Sequence, residues 1–212
     1  MSVSIVTCGP ASTRIDAVRR ITNASTGELG SLLADELRLL GDKVFLLRGE
    51  GATYPAPNGM EVRSFYSNED LLGLFREIAG KHSVTRVFHA AALMDFSVSS
   101  VTDSCGTILM QNKIRSDTSD LTIRLQPASK VIRELRALFP KTYIVGWKYE
   151  LEGTTDDVLE KGRRQMAECQ TDACVLNGAA VTGFIYLTSE SQFAFRDKKS
   201  LAEFLTATTS GQ

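Results

Sequence analysis

The feature that most constrains this chain is alternation. Short apolar runs ending at small or polar residues take turns with segments whose apolar residues recur at helical spacing, the pattern of strands and helices layered around a sheet. Residues 3–7 (VSIVT) are an apolar run closed by Gly9 and Pro10, as a buried parallel strand is. Over 27–40, Leu29, Leu32, Leu33, Leu37 and Leu40 recur at helical spacing, and Gly41 supplies a stop. Strands are expected at 43–47 and 62–66, a helix over 68–79 with Asn68 as its N-cap, and a central strand at 85–92 (TRVFHAAA). The polar stretch 97–120 reads as irregular, and loops of that length are usually functional or disordered. Then follow a strand at 121–125, a helix at 129–139, a strand at 142–147, a helix at 156–168 and a strand at 173–176. Alternating residues at 184–187 and 192–195 read as a hairpin, and a short helix at 201–206 closes the pattern.

This order predicts an α/β fold: a doubly wound, mainly parallel, Rossmann-like sheet with a C-terminal antiparallel hairpin, as one domain over 1–212. With 212 residues, 43% of them apolar, a full core can be buried. In such sheets ligands bind beyond the carboxyl ends of the strands, so the segments that follow strands matter most.

Composition narrows the function classes. The chain carries 24 basic and 25 acidic residues, without the basic excess of a nucleic-acid or membrane-surface binder. Its four cysteines form no C-x-x-C pair and there are only two histidines, so a zinc site is not expected. The cysteine usage points to a reducing cytoplasm, and the N-terminus reads directly as a strand with no signal peptide. No segment approaches the apolar length of a membrane span.

Several strand ends carry residues able to do chemistry. After the first strand a long polar loop leads to a helix start at Ser25, Thr26 and Gly27, where free N–H groups and the helix dipole make an anion site, with Arg14, Arg19 and Arg20 nearby. An ordinary capped βα loop explains the same residues. The loop is neither a Walker sequence nor G-x-G-x-x-G. Ala90, Ala91 and Ala92 leave room for a flat group, and Asp95 sits just past them; close helix packing and a capped turn are the structural alternative. Lys113 and Arg115 alternate around Ile114, as two cations laid on one side or as solvated charge. Trp147, with Lys148 beside it, follows Gly146 and is placed to stack on a base or to fill core; Asn177-Gly178 is a site residue or a turn.

Taken in order, these residues resemble phosphopantothenoylcysteine synthetase, the synthetase half of the bifunctional coenzyme A biosynthesis flavoprotein. The likeness is carried by Ile15-Asp16, Val18-Arg19 and above all Ile21-Thr22-Asn23 with Ser25, Gly27 and Gly30. Ala91-Ala92-Leu93-Met94-Asp95-Phe96 is similar to the family's AAVADY, Lys113-Ile114 to its KIK, Pro127 to its NPDI, Val145-Gly146-Trp147 to its VGF and Asn177 to its VAND. The resemblance implies a ligase that joins phosphopantothenate to cysteine through an acyl-nucleotide, with CTP or ATP as cosubstrate and Mg²⁺, as a homodimer. No flavin, nucleic acid or membrane partner is expected. Carried over, Asn23 polarises the acyl-nucleotide and Lys113 meets the phosphates, as the catalytic pair. Gly9, Ser25, Thr26, Gly27, Ala91, Ala92, Asp95, Pro127, Trp147 and Asn177 form the nucleotide site, and no resident metal ligands are implied. The hairpin at 184–195 would supply the surface for dimerisation. The chain departs from the pattern at Gly9-Pro10, where the family pairs two glycines, at Glu28, where it has a basic residue, at Gln126-Pro127-Ala128-Ser129-Lys130, and at Arg115.

Two other classes compete. An NAD(P)-dependent oxidoreductase would use Arg48 for a 2′-phosphate, but the glycine fingerprint and a Tyr-x-x-x-Lys pair are missing. A non-catalytic or altered-substrate relative would keep the fold and bind a nucleotide without turnover.

Overall fold

In a computed structural model that describes residues 2–208, the chain opens with β1 (Val3–Cys8), followed by two three-residue strands, β2 (Ser12–Arg14) and β3 (Arg20–Thr22). Then come α1 (Glu28–Leu39), β4 (Lys43–Gly49), β5 (Glu61–Phe65), α2 (Asn68–Ala79), β6 (Arg86–His89) and β7 (Phe96–Thr102). The second half comprises β8 (Thr122–Pro127), α3 (Val131–Leu138), β9 (Tyr143–Tyr149), α4 (Thr155–Cys169), β10 (Ala173–Asn177), β11 (Phe184–Leu187), β12 (Gln192–Phe195) and α5 (Lys198–Thr208).

Eight strands form one sheet in the order β12-β11-β10-β9-β6-β1-β4-β5. The pairs from β10 through β5 are parallel, and β11 and β12 are antiparallel. The expected doubly wound sheet and its terminal hairpin are both present. The sheet is built outward from β1: β4 and β5 are added on one side, and the chain then crosses to add β6, β9 and β10 on the other. The order therefore reverses between β1 and β6, and the crevice beyond their carboxyl ends is where such a sheet binds ligands.

Side-chain alternation in the buried strands supplies two cores. Val6, Phe88, Val145 and Val175 face α1 and α5 with Leu33, Leu37, Leu201 and Leu205. Ile5, Val87 and Ile144 face α2 and α3 with Leu71, Phe75, Ile78 and Leu135. Burying each of these large side chains contributes roughly 1.5–3 kcal/mol.

The structure corrects the sequence reading in four places. The stretch 97–120 is not wholly irregular: β7 occupies its start and pairs antiparallel with β8, with a bulge between Val98 and Ser100. The strand expected at 121–125 is therefore half of a separate two-stranded ribbon, outside the main sheet. The loop after β1 holds a second ribbon, β2 paired with β3. Asn68 is not the N-cap of α2. Ser67 caps it, its hydroxyl accepting from Asp70 N–H while the Asp70 carboxylate accepts from Ser67 N–H.

Candidate functional site

A cavity of about 800 Å³ opens at the crevice between β1 and β6. Its wall begins with α1. Gly27 caps the helix at φ 80°, a left-handed conformation that suits glycine, and the Thr26 hydroxyl accepts from Glu28 N–H at 3.3 Å. One turn on, a Cβ at Gly30 would lie 2.5 Å from the Cys8 Cβ and 3.1 Å from Thr7 O. Glycine is thus what lets α1 sit on β1 and bring its N-terminal amides to the strand end, an arrangement suited to an anion.

The opposite wall is the segment after β6. Ala92 N–H donates to Gly9 O and Ala11 N–H donates to Ala92 O, both at 3.0 Å, which ties the two strand ends together. Asn23 donates from Nδ2 to Ala92 O at 3.1 Å and to Leu93 O at 2.8 Å. Asn68 fixes the floor: its Nδ2 donates to Met94 O and Ser129 O, and its Oδ1 accepts from Met94 N–H.

Three lysines line the cavity, each beside a carboxylate. Lys130 pairs with Asp95, Lys198 with Glu28, and Lys148 lies 3.3 Å from Glu150, which also takes Lys161 at 2.5 Å. Burial favours the protonated form of Glu150, but hydrogen bonds from Lys161 and Lys148 outweigh it and hold the carboxyl below its usual range. Burial pushes the Cys8 thiol up to about 11, so at neutral pH it lines the site as a protonated group without nucleophilic character. His89 lies at the cavity floor with Nδ1 3.0 Å from Thr7 Oγ1, and burial lowers its pKa to about 4.

Of the residues singled out in the sequence, Asn23, Ser25, Thr26, Gly27, Ala91, Ala92, Asp95, Trp147 and Asn177 line this one cavity. Gly9 lies behind the wall, where a Cβ would stand 2.6 Å from that of Ala52. Pro127 ends β8 on the exposed ribbon, outside the lining. Lys113 is exposed on the loop after β7 and is also outside it. That loop is anchored by Asp16, whose carboxylate accepts from Ile114 N–H at 3.1 Å, from Val18 and Arg19 N–H at 2.7 Å each, and from the Arg19 guanidinium at 2.6 Å. Burial works to raise the Asp16 pKa, and these donors overcome it and bring it to about 2. Arg48, the residue an NADP site would use, donates from Nη2 to Ala52 O and Tyr54 O and is committed to its own loop.

Sequence reasoning missed His89, Asn68, Gln165 and Lys198 as cavity residues. A polar residue inside an apolar strand was a usable signal for His89. Lys198 had none, because its partner Glu28 is 170 residues away.

The model of one protein family, the DNA/pantothenate metabolism flavoprotein C-terminal domain, matches residues 2–208. The chain is 31% identical over 174 residues to the coenzyme A biosynthesis bifunctional protein CoaBC of Thermococcus kodakarensis, covering 82% of this chain and 40% of that protein. It is 27% identical over 180 residues to the Bacillus subtilis protein of the same name, covering 84% and 41%. The chain thus spans less than half the length of these curated relatives. Among solved structures, the DNA/pantothenate metabolism flavoprotein from Streptococcus pneumoniae matches with a TM-score of 0.85 at 24% identity, covering 98% of this chain and 97% of that one. Cab2 in complex with phosphopantothenate-cysteine matches with a TM-score of 0.74 at 16% identity, covering 98% and 86%. At these identities the structural likeness establishes the fold.

Proposed function

We propose, since the chain belongs to the DNA/pantothenate metabolism flavoprotein C-terminal domain family, that it ligates phosphopantothenate to cysteine in coenzyme A biosynthesis, in the cytoplasm. The observation that carries this is one cavity gathering a helix N-terminus, three lysines, a small-residue wall and Trp147 at the reversal point of the sheet. The T. kodakarensis and B. subtilis relatives carry the same pathway in their names.

In this reading a carboxylate oxygen of phosphopantothenate attacks the α-phosphorus of CTP or ATP, and pyrophosphate leaves. The cysteine amine then attacks the acyl carbon, forms the amide and expels the nucleoside monophosphate. Attack on a phosphoryl group asks the protein for positioning and charge neutralisation more than for a nucleophile. The amides of α1 and the cavity lysines supply that charge, and the alanine wall and Trp147 leave a slot for the base. Among the described residues no cluster of three or more His, Cys, Asp or Glu is placed to hold a metal ion. In the same reading Mg²⁺ comes with the nucleotide substrate, carried on its phosphates.

Two details qualify the roles implied by the resemblance. Both amide hydrogens of Asn23 are engaged by Ala92 and Leu93 carbonyls, so donating to an acyl oxygen requires one of those bonds to open. Lys113 reaches a phosphate in the cavity only if the loop after β7 moves or a second copy presents it. Homodimerisation belongs to the same reading, and a monomer by light scattering would remove it. Among the described residues no helix is long and apolar enough to cross a membrane.

The test is pyrophosphate release with phosphopantothenate, cysteine, Mg²⁺ and CTP or ATP. Release that requires all the substrates, and is lost in Asn23→Asp and Lys113→Ala, supports the ligase and names its nucleotide. No release with either nucleotide from folded protein overturns it.

A further inference from the structure

As Trp147 does with its Nε1, unpartnered among the described residues, His89 brings a buried nitrogen to the cavity. It is only 6% exposed, yet it lines the cavity, and its Nε2 has no protein partner among the described residues. A hydrogen-bond chain favours one tautomer. Ala91 N–H donates to Thr7 Oγ1 at 3.0 Å, and among the described residues the acceptor in reach of the Thr7 hydroxyl hydrogen is Nδ1 of His89, also at 3.0 Å. An Nδ1 that accepts places the proton of the neutral ring on Nε2. The ring is thus an uncharged donor, held from behind and open in front. The edge of Phe75 packs against it, with centroids 5.9 Å apart, and no carboxylate bonds to it.

The surroundings indicate what it meets. Ala90, Ala91 and Ala92 follow it directly, and Met94, Val131 and Ile132 continue an apolar wall suited to a flat, uncharged group. The amide of Asn68 on the same wall is spent on Met94 and Ser129. Charged ligand groups are matched elsewhere, at the lysines and the α1 N-terminus. We propose that His89 is a specificity residue whose Nε2–H donates to a carbonyl oxygen or unprotonated ring nitrogen on the edge of a nucleobase. This rests on the nucleotide reading above and adds to it the side chain that reads the base.

The experiment is equilibrium dialysis of CTP, ATP and inorganic tripolyphosphate, paralleled by fluorescence of Trp147, the sole tryptophan, which lines the same cavity. In His89→Asn the amide replaces Nδ1 and keeps Thr7 but no longer reaches the cavity. The better-bound nucleotide is expected to weaken about tenfold, the scale of one lost hydrogen bond, with tripolyphosphate binding unchanged. In His89→Gln the amide nitrogen takes the place of Nε2, and nucleotide affinity is expected within about threefold of wild type on the same scale. Equal nucleotide binding by wild type and His89→Asn overturns the proposal, as does equal weakening of tripolyphosphate. A folded His89→Gln that loses tenfold also overturns it, and this variant decides the matter if His89→Asn does not fold. Wild-type protein that binds neither nucleotide overturns the nucleotide reading itself, a result distinct from a wild type that binds and an Asn variant that binds equally.

Discussion

Replacing His89 by Gln makes stability depend less on pH, and the size of the change follows from burial. The folded protein keeps the ring neutral down to about 4, whereas the ordinary value is 6.5. Between those values the unfolded chain binds a proton that the native state refuses, so native stability rises with pH across that window. The contribution is complete above 6.5 and is lost as pH falls towards 4. From pH 7.5 to pH 5 the loss is about 2 kcal/mol, and by pH 4 it is about 3 kcal/mol. Glutamine does not titrate, so the variant lacks this loss. The assay is urea unfolding of both proteins at pH 7.5, 6 and 5, read as the difference in unfolding free energy. His82 and the carboxylates are common to both and cancel. A difference that narrows by about 2 kcal/mol from pH 7.5 to 5 agrees with the burial argument. A difference independent of pH refutes it, because the ring would then have to be hydrated in the native state.

Three further outcomes follow from contacts described by the structure. Arg86 and Asp42 form a buried ion pair, their side chains 4% and 8% exposed, and Asp42→Ala should cost about 3–5 kcal/mol in urea unfolding, since it removes the carboxylate that faces a buried guanidinium. Gly30→Ala forces a Cβ against Cys8 and Thr7 and should destabilise by about 1–3 kcal/mol despite the better helix propensity of Ala; a melting temperature at or above wild type would contradict the close approach. Asp16→Asn weakens the anchor of the loop that carries Lys113, so hydrogen exchange at Ile114 N–H should quicken; unchanged exchange at Ile114 would show that the carboxylate does not hold the loop.

The elements legible in the sequence were those whose stabilisation is local or whose burial is one-sided and regular. The leucine spacing over 27–40 marks α1 because one face is buried, and the apolar runs of β1, β4, β9 and β10 mark strands covered on both sides. β7 hid in its serines. It lies outside the main sheet, paired with β8, and its bulge between Val98 and Ser100 breaks the two-residue period by which a strand is recognised. β2 and β3 are three residues each, too short for any period. Asn68 was placed one residue out because Ser67 and Asn68 are both good caps, and only the reciprocal bond with Asp70 decides between them. At the site, residues after strands were visible because the topology says where to look. Which of them share a cavity was not, since that depends on contacts such as Asn23 with Leu93 and Glu28 with Lys198, across 70 and 170 residues.

The pairing of Lys130 with Asp95 and of Lys198 with Glu28 bears on how a ligand arrives. An ammonium beside a carboxylate is a short dipole, and its field fades over a few ångströms, well inside the roughly 8 Å screening length of physiological salt. Such a cavity does not gather polyanions from a distance in the way a bare basic funnel does. Lys130 and Lys198 meet an anion only at contact, by exchanging one partner for another, while Lys148 and Lys161 share Glu150 and keep one net positive charge between them. Capture at Lys130 and Lys198 is then governed by diffusion and fit and changes little with ionic strength, and choice among anions is made in the residence time, by whether a phosphate replaces Asp95 or Glu28 well enough to stay.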